Sequence, residues 1–178
     1  MLHASKKDNL CNYLLLLYNM SAEQNKNTIT QFYSAFKNKD YKTMQECYAN
    51  ETSFNDAVFI DLNASQVKAM WEMLCKRGKD LTLEYSNITA DETSGTAAWI
   101  ATYTFSTTGK KVVNKIEAKF KFKDGLIIQH TDAFDFYKWA KQAFGITGFL
   151  IGWTNFFKGK VQAKANQNLI TFMNRNGN

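Results

Sequence analysis

Between Val113 and Lys123 the chain alternates without a break. Asn114, Ile116, Ala118, Phe120 and Phe122 fall on one side, and Lys115, Glu117, Lys119, Lys121 and Lys123 on the other. A period of two over this length specifies an extended strand with one buried and one solvated face. Asp124-Gly125 follows, a pair suited to a tight hairpin turn, and Leu126 to Phe134 reads as the returning strand. Upstream, Thr96 to Phe105 forms another long strand that ends at the Thr108-Gly109 turn. These segments predict long antiparallel strands whose apolar face must be covered by something else.

Helices supply the cover. From Asn27 the apolar residues Ile29, Phe32, Tyr33 and Phe36 recur at the spacing of one helix face. Asp40 can cap a second helix that holds Met44 and Tyr48 on one face and ends at Ala49-Asn50. Thr52 to Ile60 is β-branched and aromatic enough for a strand. Ser65 then precedes Val67, Met70, Trp71 and Leu74, a third helix stopped by Gly78, and Leu81, Leu83 and Tyr85 alternate as a further strand. In the tail, Tyr137 to Phe144 forms a helix capped by Asp135 and stopped by Gly145. Phe149, Leu150, Ile151 and Trp153 form an apolar patch, and Val161, Ala165, Leu169 and Phe172 mark a last helix. Trp139 and Trp153 are expected in the core or in a dimer contact. No repeat or linker divides the chain. The prediction is a single α+β domain over residues 23–174, preceded by an N-terminal extension at 1–22 that is either a docked helix or an upstream read-through.

Charge and rare residues exclude several functions. The net charge of +6 draws on 22 Lys and Arg, but Arg77 and Arg175 are the only arginines. Bidentate base and phosphate recognition leans on Arg, so no nucleic-acid partner is expected. His3 and His130 are too few for a multi-His metal site. Cys11, Cys47 and Cys75 show neither a C-x-x-C nor a zinc spacing, so no metal or cofactor is expected and the thiols read as reduced and cytoplasmic. Lys6 and Lys7 precede Leu14 to Leu17, but Asp8 and Asn12 interrupt an export signal, and the apolar run is too short to span a bilayer. No membrane partner is expected. Aromatic residues make up 15% of the chain, including 14 Phe, enough to line a large interior surface.

The order of elements, together with Phe32-Tyr33-x-x-Phe36, Asp40, Met44, Tyr48, Phe54-Asn55-Asp56, Met70-Trp71, Trp99-x-Ala101-x-Tyr103, Thr108-Gly109, Asn114, Asp124-Gly125 and His130-x-Asp132-x-Phe134-Asp135, resembles the nuclear transport factor 2-like superfamily. Within it the chain is most similar to SnoaL-like and ketosteroid-isomerase-like proteins, over about Asn27 to Phe172. The resemblance implies a conical, barrel-like α+β fold, with N-terminal helices against a strongly curved antiparallel sheet that encloses a pocket, and dimerisation through the sheet. It implies a homodimer with a hydrophobic small-molecule ligand.

Three carry-overs follow from the resemblance. Asp56 stands where ketosteroid isomerases carry their proton-shuttling base, with Asp40 at the matching spacing, although the phenol of that family falls at Phe32 while Tyr33 points elsewhere. Asp132 matches one aspartate of limonene-epoxide hydrolases, but their Arg and second Asp fall at Trp99 and Ala101, which argues against epoxide hydrolysis. His130 with Asp132 resembles the acid/base region of SnoaL-like cyclases.

Residue chemistry agrees with an acid/base reading. His130 and Asp132 share a strand face, and a carboxylate in apolar surroundings can carry a proton near neutral pH. The expected catalytic residues are Asp56, Asp132 and His130. The expected ligand contacts are Asn114, which otherwise pairs with His130 or Asp132, together with Phe32, Phe54, Trp71, Trp99 and Tyr103. The function expected is metal-free isomerisation or cyclisation of a hydrophobic carbonyl compound. The alternatives are a non-catalytic module for a hydrophobic ligand and an interaction adaptor that uses the lysine face of the sheet.

Overall fold

The computed structural model describes residues 4–176, with side chains from residue 20 to 175. His3, the side chain of Cys11 and the docking of the N-terminal segment lie outside these. In chain order the elements are α1 (Ala4–Lys37), α2 (Tyr41–Glu46), β1 (Tyr48–Asn55), β2 (Leu62–Asn63), α3 (Ala64–Arg77), β3 (Thr82–Ala90), β4 (Ser94–Phe105), β5 (Lys110–Lys123), β6 (Leu126–Ala133), α4 (Phe136–Phe144), α5 (Ile146–Ile151) and α6 (Asn155–Asn176). Helix α1 starts well before Asn27 and runs unbroken past residue 22.

Six strands form one sheet in the order β2-β1-β6-β5-β4-β3. The two hairpins that join β4, β5 and β6 follow the sequence reading. At the second turn Asp124 and Gly125 both adopt positive φ, at 53° and 76°, as a type I′ turn demands. One pairing departs from the expected antiparallel sheet: β1 runs parallel to β6, with Phe54 opposite His130 and Asn55 opposite Thr131. A parallel pair needs a long crossover, and α3 with β3 to β5 provides it.

Local signals set the helix ends. Asp40 caps α2 by accepting from the Thr43 amide at 3.2 Å, and Asp135 caps α4 by accepting from the Lys138 amide at 2.9 Å. At α3 the cap is Asn63, in a reciprocal capping box with Gln66. Helix α2 stops at Glu46, so Tyr48 belongs to β1 instead of continuing the helix face of Met44.

The inner face of the sheet carries the small residues Gly95, Ala97, Ala101 and Ala118, and this leaves room for α1 to settle deeply. A Cβ at Gly95 would lie 2.7 Å from Ile29 Cδ1. Ile29, Phe32, Tyr33 and Phe36 of α1 are consequently buried in the main core with Phe54, Trp71, Trp99 and Phe120. The lysine face of β5 is exposed, as its alternation requires. A smaller core of Val112, Trp139, Ala140, Ala143 and Phe157 joins α4 and α6 to the far end of β4 and β5.

Helix α5 packs on α4 through glycine. A Cβ at Gly148 would sit 1.9 Å from the Ala140 carbonyl oxygen, so nothing larger fits there. Gly148→Ala should detach α5 and cost about 2 kcal/mol or more as an overpacked contact, measured as a fall in the urea midpoint at constant slope.

Candidate functional site

Alternation turns His130 and Asp132 inward, and the register shift between the Lys121 and Phe122 pairs lets Ile127, three positions before His130, face inward as well. His130 is fully buried, and its ring nitrogens are both engaged. Tyr48 Oη lies 2.6 Å from Nδ1, and Asp132 Oδ1 lies 3.1 Å from Nε2. Trp71 Nε1 donates to Tyr48 Oη at 2.9 Å, and Trp99 Nε1 donates to Asp132 Oδ1 at 3.3 Å.

Donor capacity assigns the protons. An indole N–H can only donate, so Tyr48 accepts from Trp71 and gives its own proton to His130 Nδ1. In that arrangement the Nε2 proton is directed at Asp132. Burial and the Asp132 carboxylate hold the Tyr48 phenol well above its usual range, which keeps that proton in place. Asp132 thus accepts from a histidine and a tryptophan, within a chain of hydrogen bonds reaching back to α3.

Rings pack around this chain on all sides. Phe120 lies 4.3 Å from His130 between centroids, Phe54 lies 5.1 Å away edge-on, and Trp71 stacks at 5.8 Å. Phe32 makes edge contacts with Tyr48, Trp71 and His130. Phe32, Phe54 and Trp71, expected to line a pocket, therefore fill the interior, because α1 sits close enough for its rings to reach α3 and β6. The histidine is enclosed within this core. An open concavity of about 390 Å³ lies instead on the solvated sheet face, lined by Ser94, Thr96, Lys119, Lys121, Gln129 and Thr131.

Tyr33 does not point elsewhere. It is fully buried and stacks on Tyr85 at 5.6 Å. Its hydroxyl has no hydrogen-bond partner among the described residues. Burial and then the nearby Asp132 carboxylate hold its phenol well above the usual range. Neighbouring positions on a helix sunk in a concave sheet can both face inward, which is why Tyr33 and Phe32 are buried together.

Asp56 is half-buried just past the end of β1, continuing the ladder that pairs Asn55 with Thr131. Asp132, on the neighbouring strand, is near enough to act on Asp56 through its charge. Asp56 Oδ1 accepts from the Val58 and Phe59 amides at 2.6 and 2.5 Å, so it shapes the turn into β2. Burial nevertheless dominates and pushes its carboxyl up to about 7. The two amides and Lys158 oppose that rise, and Asp132 reinforces it.

Partly exposed polar groups stand near this end. Asn114, opposite Ala101 in the β4–β5 ladder, is half-buried and pairs with neither His130 nor Asp132. Tyr103 accepts from Trp139 Nε1 at 2.8 Å, which frees its own hydroxyl proton to donate, and its phenol is raised by burial and by Asp56. Helix α6 closes over the Asp56 turn, where Gln162 Nε2 donates to the Ala57 carbonyl at 3.0 Å.

Other chemistries find little support among the described residues. No group of three or more His, Cys, Asp or Glu is placed to hold a metal ion. Burial raises the Cys47 thiol to about 12 and the Cys75 thiol to about 11, so both remain protonated at neutral pH and are poor nucleophiles. No described helix is long and apolar enough to cross a membrane.

The sequence reading does not place Tyr48 in the network, and the one weak signal for it is that the segment after Glu46 loses helical spacing.

No curated protein matches the chain. Among solved structures it is similar to a candidate SnoaL-like polyketide cyclase from Jannaschia sp. CCS1, at 13% identity and a TM-score of 0.62, covering 70% of this chain and 94% of that one. An epoxide hydrolase of the LEH-like type from M. tuberculosis is 16% identical with a TM-score of 0.56, covering 72% of this chain and 94% of that one. A nuclear transport factor 2-like protein of unknown function from Burkholderia pseudomallei K96243 is 14% identical with a TM-score of 0.60, covering 68% and 98% respectively. At these identities the likeness shows a shared fold, with an inner sheet and covering helices of common design. The SnoaL-like domain family itself matches residues 29–130, more than half of the chain and the stretch from the last turns of α1 through His130, so the chain belongs to the SnoaL-like domain family.

Proposed function

We propose that the protein binds a small hydrophobic carbonyl compound at the Asp56 end of the cone and moves a proton on it by metal-free acid/base chemistry, as in an isomerisation or cyclisation. The observation that carries this reading is Asp56, with its carboxyl pushed up to about 7, within reach of the charge on Asp132. A base with that affinity can take a proton from carbon next to a carbonyl and return it at neutral pH. The negative charge that develops on the carbonyl oxygen needs donors. The Tyr103 hydroxyl and the Lys158 ammonium, both close enough to act on Asp56 by charge, have protons to give, and the half-buried Asn114 amide on the inner side of β5 is a further donor. Asp132, fixed by His130 and Trp99, acts on Asp56 by charge.

The test does not require the natural substrate. A panel of enones and β-dicarbonyl compounds in D2O is followed by NMR for exchange of hydrogen at the carbon beside the carbonyl. Wild-type protein should accelerate exchange for at least one member, with a pH midpoint of about 7. Asp56→Asn should lower that rate by about 100-fold or more. Asp132→Asn should leave measurable exchange but move the midpoint to lower pH, because a neighbouring negative charge has gone. Binding of a panel member with equal exchange in wild type and Asp56→Asn would instead mark a non-catalytic binding module.

A further inference from the structure

Helix α5 and the start of α6 present an unusual surface. Ile146, Phe149, Leu150 and Trp153 recur at the spacing of one helix face and are 80%, 61%, 61% and 70% exposed, and Phe156 beyond them is 72% exposed. The cause lies on the opposite face, where Gly148 and Gly152 press against Ala140 of α4. With glycines inward, the large side chains of α5 are turned to solvent. A contiguous apolar patch of this kind marks a contact surface.

Charge identifies the partner. Residues 136–178 hold Lys138, Lys141, Lys158, Lys160, Lys164 and Arg175 and no acidic residue, while residues 1–135 are balanced in charge, so the whole excess of +6 lies in this tail. Cations rim the patch directly. Lys160 Nζ stands 5.5 Å from the Phe156 ring centre, and Lys141 Nζ stands 4.4 Å from that of Tyr137. Tyr137 Oη in turn donates to the Phe149 carbonyl at 2.9 Å. From the sheet, Lys110 reaches the α4–α5 corner at Gly145.

From these observations we propose that the α5–α6 corner docks in the plane of an anionic lipid surface, with Ile146, Phe149, Leu150, Trp153 and Phe156 entering the interface and Lys110, Lys141 and Lys160 resting on the headgroups. Exposed Trp and Phe with flanking lysines suit such a boundary. A second copy fits less well, since a symmetric contact would bring the same cations together without an acid from the tail to pair them. This contact replaces the expectation that the chain has no membrane partner, which considered spanning alone, and it does not depend on the acid/base reading.

The test is co-flotation with phosphatidylcholine vesicles, with and without about one third phosphatidylglycerol. The full chain should float with the anionic vesicles and stay behind with the neutral ones, and added salt should release it. Trp71, Trp99 and Trp139 are buried while Trp153 is 70% exposed, so a blue shift of emission on anionic vesicles reports Trp153 entering the interface. Lys141→Gln with Lys160→Gln should weaken partitioning by about 30-fold. Phe149→Ser with Trp153→Ala should weaken it by about tenfold or more. Unchanged unfolding midpoints confirm that both variants are folded. The proposal fails if the protein floats with neither vesicle or equally with both. It also fails if sedimentation shows a dimer that Phe149→Ser with Trp153→Ala converts to monomer, which would make the patch an interface between copies.

Discussion

Alanine at Trp71 is expected to lower the unfolding free energy by about 4 kcal/mol. Trp71 is 1% exposed, and its ring meets Phe32, Phe36 and Phe54 at centroid distances of 5.2, 5.1 and 5.5 Å. Truncation would leave a cavity walled by stiff rings from different elements, which cannot collapse to fill it. Tyr48 would also lose the donor that directs its proton toward His130. Urea unfolding checks the loss, and Trp71→Phe should recover more than half of it by restoring most of the volume. A loss below about 1 kcal/mol would show that Trp71 borders an open pocket, since removing a wall leaves fewer contacts to lose than removing a filling.

Asp56→Asn is expected to stabilise the protein in alkaline solution and to leave it nearly unchanged in acid. Folding raises the Asp56 carboxyl from an ordinary 3.8 to about 7, so the fold favours the protonated form. The contribution of this residue is therefore fully present below about pH 4 and lost as pH rises through about 7. At about pH 8 the folded chain bears a difference on the order of 4 kcal/mol that an amide does not carry. Asparagine keeps an oxygen for the Val58 and Phe59 amides, so the turn survives. Denaturation of wild type and variant at both pH values, compared as a difference, isolates this residue from other titrations. An equal difference at both would place the Asp56 carboxyl in the ordinary range and remove its case as a proton carrier. Together with loss of hydrogen exchange, the expected result would show activity and stability opposed at one atom.

The hairpins were legible because their information is local: alternation sets the faces of β5, and Asp124-Gly125 sets the turn. The caps at Asp40 and Asp135 were legible for the same reason. Strand β1 was placed too late, at Thr52 to Ile60 instead of Tyr48–Asn55, because the brevity of α2 has no strong mark and Asp56 looks like a strand residue until its carboxylate is seen folding back on Val58 and Phe59. The filled interior was out of reach for a different reason. Whether Phe32, Phe54 and Trp71 line a hollow or close it depends on volumes summed across α1, β1 and α3, which meet only in three dimensions. Trp153 is not in the core, the first of its two expected places, because the glycines beside it, rather than the aromatic itself, decide which face of α5 is buried.

The parallel seam between β1 and β6 also governs the order in which the molecule can be assembled. The hairpins of β4, β5 and β6 join near neighbours in the chain and can close early, whereas Tyr48 meets His130 across 82 positions. Such distant pairings carry the largest loop-closure entropy and form late. The proton-ordering chain from Trp71 to Asp132 and the approach of Asp56 to Asp132 both lie across that seam. A partly folded chain, however complete its hairpins, would leave Asp56 in water as an ordinary carboxyl that holds no proton between pH 4 and 7.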